Sequence, residues 1–159
     1  VCWAVLSGVT ELNELLTDGE ITKAELSGCL VLTLNPTRQA WIDSAINTLV
    51  TLEANQDSGW KKIRRTKTRF ELLTRANNAV DQLVGKVNNN TAGRMAIMAT
   101  NREIGASMIG EEKIQSIDVY EDPTHPAEGD SAWFIIDVVD MDSAEHLYLR
   151  YLFRYDTQV

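Results

Sequence analysis

Two histidines, two cysteines, a crowd of carboxylates and one Gly-Lys pair are the residues of this 159-residue chain whose types could do chemistry. His125 and His146 each stand beside acidic residues, as a metal site or a general base would require, but lone imidazoles near carboxylates are far more often solvated surface. Glu121, Asp122, Glu128, Asp130, Asp137, Asp140, Asp142 and Glu145 crowd one stretch. They lack the D-x-D-x-D-G spacing of a calcium loop and read as charge-rich, solvated segments. Gly85-Lys86 invites a phosphate-loop reading, yet Val80 and Val87 occupy the places of the required first Gly and of the Ser or Thr. Cys2 and Cys29 form no C-x-x-C and have no His at metal spacing, so both are expected to be small buried core residues. Asn89-Asn90-Thr91 matches a glycosylation acceptor in form only and reads as a helix-capping turn. The expectation is a protein that is not an enzyme and has no cofactor and no metal.

The charge pattern is more informative. Lys61, Lys62, Arg64, Arg65, Lys67, Arg69 and Arg75 cluster with only Glu71 among them, whereas Lys113 is the sole basic residue between Glu103 and Glu145. Cations at a helix start oppose the helix dipole and repel one another, each by a few tenths of a kcal/mol. They call for a reason, and an acidic partner surface is the expected one; a merely solvated basic face is the alternative. A net charge of −8 argues against a dedicated nucleic-acid binder. A nucleic-acid or acidic-polymer binding module built on helix 60–75 nevertheless stands as the alternative function. Against it, Phe70 is read as core-facing, which leaves few aromatic stacking platforms.

The elements that must position these residues follow from periodicity. At 44% hydrophobic the chain supports one domain, expected over 1–159. Its apolar residues never run on for the roughly 20 positions of a membrane span, and 1–9 has neither a charged leader nor a cleavage pattern. Val1, Trp3 and Val5 alternate like a core strand at a start without Met, so the chain is expected to be a fragment of something longer. Thr17-Asp18 opens a capped helix that ends at Gly28. Segments 29–34, 39–42 and 45–52 read as a small meander turning at Asn35-Pro36-Thr37. Ile63, Phe70, Leu73, Val80 and Val84 mark a long amphipathic helix of roughly seven turns. Thr91 is expected to cap a second helix through Met95, Met98 and Ile104 towards Gly110. Segments 114–120, 132–139 and 147–155 are β-like. In the last, Leu147, Leu149, Tyr151, Phe153 and Tyr155 alternate with Tyr148, Arg150, Leu152 and Arg154. The fold class expected is α+β: a small mixed or antiparallel sheet with two main helices packed on one side and a C-terminal edge strand.

Leu30-Val31-Leu32-Thr33, Ile46-Asn47-Thr48-Leu49, Trp60-Lys61-Lys62-Ile63-Arg64 and above all Gly85-Lys86-Val87-Asn88-Asn89-Asn90 with Gly93-Arg94 carry a family resemblance. In order and spacing, from about Leu12 to the end, the sequence resembles the C-terminal, tube-proximal portion of contractile tail sheath proteins of myophages and phage-tail-like bacteriocins. Longer members have outer domains and an N-terminal arm that this sequence lacks, and its basic helix start is more heavily charged than theirs. The resemblance implies a structural subunit that polymerises around a tail tube and contracts to drive it through the host envelope. It implies partners in neighbouring copies, in hexameric rings and a helical stack, and in a tail tube protein. It implies no membrane partner and no nucleic acid. The location implied is the virion tail or an extracellular bacteriocin particle, assembled in the bacterial cytoplasm. The two sites expected are a tube-facing basic helix (Lys61, Lys62, Arg64, Arg65, Lys67, Arg69) and a strand exchanged between subunits (Leu147, Leu149, Arg150, Tyr151, Phe153, Arg154, Tyr155).

Overall fold

A computed structural model of the chain describes residues 2–145 and 147–153; the expectations for His146, Arg154 and Tyr155 lie outside them. The first helix, α1 (Asp18–Leu26), starts where Thr17 is tied to Glu20, whose carboxylate accepts from the Thr17 amide and hydroxyl, both at 2.8 Å. It ends at Gly28, whose φ of +77° lets the chain turn against Thr48 and Val50. Strands β1 (Leu32–Leu34) and β2 (Ala40–Ile42) pair antiparallel, Thr33 opposite Trp41. Their turn is closed by Asn35 Oδ1, which accepts from the amides of Thr37 and Gln39 at 3.0 and 2.8 Å. Val5 bridges to Trp41, and Trp3 meets Trp41 edge-on at 4.5 Å, but Trp3 and Val5 are 43% and 49% exposed. The expected opening core strand is thus a single bridge on the outside of this hairpin. Segment 45–52 contributes one more bridge, Ile46 to Lys62.

The body of the fold is helix on sheet. Helix α2 (Ile63–Asp81) has 19 residues, about five turns and some 28 Å rather than seven turns. Helix α3 (Thr91–Gly110) begins at Asn90, not Thr91: Asn90 Oδ1 accepts from the Gly93 amide at 2.8 Å. Strands β3 (Ile114–Glu121) and β4 (Phe134–Asp140) form an antiparallel hairpin with Val119 opposite Ile136 and Ile117 opposite Val138. Cross-strand partners share a face. Gly105 of α3 closes on Ile117, and the Thr68–Leu72 side of α2 faces Ile136, Val138 and Asp140, so both helices lie on the same side of this hairpin. Met108, Ile114 and Val119 are fully buried there and form the centre of the core. The architecture is α+β, with two separate two-stranded antiparallel sheets. The helices cover β3–β4, not a sheet shared with the first hairpin.

Two expectations are corrected. The inner stripe of α2 runs through Arg65, Thr68, Leu72 and Ala76, while Phe70, Leu73 and Val84 are 66%, 56% and 68% exposed. Periodicity sees the largest apolar residues, but this helix turns small residues and two arginines inward because its neighbours are a close-packed helix and an aspartate on β4. Cys29 is exposed and Cys2 half-buried, so neither is a buried core residue. No helix among the described residues is long and apolar enough to cross a membrane.

Candidate functional site

The basic helix start is largely answered from within the chain. Lys62 Nζ lies 2.6 Å from Asp142 and 3.0 Å from Glu145. Arg65 Nη2 reaches Asp140 Oδ1 at 2.5 Å and Asp57 at 3.3 Å; Arg69 Nη2 lies 3.0 Å from the other oxygen of Asp140. Arg69 also stacks its guanidinium 4.0 Å over the ring of Trp60. Space for Arg65 comes from Gly59, where any Cβ would stand 1.3 Å from the guanidinium. Asp140 and Glu145 are desolvated, which works against their charged forms. Arg65 and Arg69 for Asp140, and chiefly Lys62 for Glu145, more than offset this and hold both carboxyls below the usual range. These bonds clamp 140–145, the stretch that leads off β4, onto the start of α2. Cys2 joins the clamp: its thiol donates to Glu145 at 3.2 Å and accepts from the Ala45 amide at 3.1 Å.

A second network ties α2 to the α3–β3 turn. Arg75 and Lys113 share Glu71 and Glu111 at 2.5–2.8 Å, and the Glu111 carboxyl, bonded first by Arg75 and then by Lys113, is pulled down to about 2. Of the expected basic surface, Lys61 and Lys67 have no ion pair among the described residues, and Arg64 makes one long bond, 3.4 Å to the Glu112 carbonyl. Phe70 stands out beside them, so its expected place in the core no longer counts against aromatic stacking; the internal pairing of Lys62, Arg65 and Arg69 removes the cations instead.

The acidic loop is structural where it is ordered by bonds. Asp122 accepts from Thr124 and meets His125 Nδ1 at 2.8 Å, and the bonds from Thr124, then His125, pull its carboxyl down to about 2. Among the described residues no three His, Cys, Asp or Glu are grouped to hold a metal ion.

Beyond the clamp the chain leaves the body. Leu147, Leu149, Tyr151 and Phe153 are 75%, 71%, 71% and 85% exposed, Arg150 is exposed, and 147–153 pairs with no strand. Among the described residues β4, for its part, pairs only with β3 and leaves its other edge open. A groove between that strand and α2 is lined by Leu72, Leu73, Ile136 and Val138.

Comparison with solved structures resolves what such a body resembles. No protein-family model matches the chain, and no curated protein matches its sequence. A chain of the anti-feeding prophage baseplate superposes with a TM-score of 0.78 at 12% identity, over 96% of this chain and 44% of that one. A sheath tail protein of Listeria innocua superposes with a TM-score of 0.64 at 13% identity, over 87% and 37%. One of Desulfitobacterium hafniense does so at 0.64 and 16% identity, over 88% and 36%. This is the tail sheath fold. The chain spans less than half the length of these sheath-fold structures, and at such identities the likeness is one of fold. The sheath fold was legible in the order of elements; the ionic clamp, the open β4 edge, the buried Asn101 and the bonding of Asn89 were not. Asn101 left one signal, a polar residue on an otherwise apolar helical face between Met98 and Gly105.

Proposed function

We propose that this chain is the tube-proximal part of a contractile tail sheath subunit, and that its C-terminal segment, 147–155, is donated to a neighbouring copy. One observation carries the reading: among the described residues an alternating apolar segment projects unpaired and β4 keeps an unpaired edge, a donor and an acceptor left unjoined within the chain. Backbone hydrogen bonds to an edge supply affinity, and side-chain alternation sets register. Rigid bodies on such tethers can repack without dissociating, which is what a sheath needs to shorten and drive its tube. The clamp at Lys62, Arg65 and Arg69 fixes the direction in which the tether leaves. Lys61, Arg64 and Lys67 are the cations left for an acidic tube. The site of action is then a phage-type tail or bacteriocin particle, assembled in the bacterial cytoplasm.

Electron microscopy of the full sheath subunit tests this. Deleting 147–159 leaves the melting transition of the domain unchanged and abolishes striated tubes; intact tubes from the deletion variant refute strand donation. Reversing Lys61, Arg64 and Lys67 to Glu weakens tube attachment and its salt dependence without unfolding the domain.

A further inference from the structure

A cavity of about 360 Å³ opens where the end of α2, the asparagine turn, the middle of α3 and the start of β4 meet. Its walls are mainly apolar, with Leu83, Val87, Ile97 and Phe134 among them. Three asparagines, Asn88, Asn89 and Asn101, interrupt them, and the last two are fixed by their bonds. Asn101 is 4% exposed, and its Nδ2 donates to the Ile97 carbonyl at 2.9 Å. Asn89 Nδ2 donates to the carbonyls of Gly129 and Ser131, both at 3.0 Å. Carbonyl partners can only accept, so neither amide can be turned over without losing those bonds. Both Oδ1 atoms are therefore fixed as acceptors, buried and with no donor in reach. A buried acceptor is ordinarily met by a donor, from water or from a guest.

The rest of the lining restricts which donor. Arg94, the cation in the wall, is held by Glu121 Oε1 at 3.0 Å and disfavours a cationic guest; Asp130 and the two carbonyl oxygens disfavour an anion. What fits is a neutral, flat, apolar group with one hydroxyl: a phenol. The segment's apolar face carries two, Tyr151 and Tyr155, of which Tyr151 lies among the described residues; Tyr148 lies on the other face with Arg150 and Leu152. The chain's own segment does not fill the cavity in this structure: Tyr151 is 71% exposed. We propose that the cavity receives Tyr151 of a second copy, whose apolar face lies along the open edge of β4 and whose hydroxyl donates to Asn101 Oδ1. This rests on the donation of 147–155 to a neighbour and adds its receptor. A donor segment and a receptor cavity that are different parts of one chain make a head-to-tail contact, the kind that generates rings or helical arrays.

A labelled synthetic peptide spanning 145–155, titrated onto the whole chain, is the test. Tyr151→Phe in the peptide and Asn101→Leu in the chain each weaken binding about tenfold, and together no more than either alone, because each removes the same bond. Tyr148→Phe leaves binding unchanged. Additive losses, or an equal loss from Tyr148→Phe, overturn the cavity assignment while strand donation stands. Absence of binding by every peptide overturns both. If Asn101→Leu fails to fold, the side-chain amide resonance of Asn101 in the parent protein decides: it shifts with the Tyr151 peptide and not with its Phe variant, and an identical response to both refutes the assignment.

Discussion

Replacing Asp140 with Asn probes the clamp that sets the exit of the C-terminal segment. The amide keeps the shape but cannot balance Arg65 at 2.5 Å and Arg69 at 3.0 Å. Breaking a fully buried pair costs about 3–5 kcal/mol, and losing an exposed one at most about 1. Asp140 is 11% exposed and its arginines 17% and 27%, so the loss expected lies between, at about 2–3 kcal/mol. For a chain of this length that lowers the melting temperature by about 5–10 °C, read by circular dichroism at neutral pH. The pH dependence gives an independent check. The folded-state carboxyl is depressed, so its stabilisation is complete above the ordinary aspartate range and is lost as the pH falls through that range towards the folded value. The gap between parent and variant therefore closes in acid. Asp142 and Glu145 protonate in the same window in both proteins and cancel in the difference. A variant that melts within about 1 °C of the parent at neutral pH, or a gap that persists in acid, refutes the clamp as an ionic device.

Two further predictions concern packing and thiol access. A Cβ at Gly105 would stand 2.3 Å from Ile117 Cγ2, so Gly105→Val lifts α3 from β3 and costs about 1–3 kcal/mol in a urea titration; an unchanged midpoint shows that the contact is slack. Burial, and after it Glu145 against the opposing Ala45 amide, pushes the Cys2 thiol up, while Cys29 is exposed. Iodoacetamide therefore labels Cys29 well before Cys2, as mass spectrometry reads it; equal rates in the parent contradict the bonding of Cys2.

Local chemistry was sufficient for the elements. Thr17 with Glu20 starts a helix, Asn35 with Pro36 turns a hairpin and Gly28 ends a helix at positive φ, because each effect spans four residues or fewer and is written in consecutive side chains. The order of those elements was enough to suggest the sheath fold. Which face of α2 turns inward was not legible, because Phe70 and Leu73 look like core until β4 brings Asp140 to Arg65 and Arg69, 71–75 residues along the chain. The surplus of cations was visible as an unexplained cost; that most of it is met inside the chain depended on where 140–145 returns. The orphan oxygen of Asn89 also comes from tertiary structure alone. An asparagine in a sequence has no orientation, and only the carbonyls of Gly129 and Ser131, 40 and 42 residues along the chain, decide which of its atoms is left without a partner.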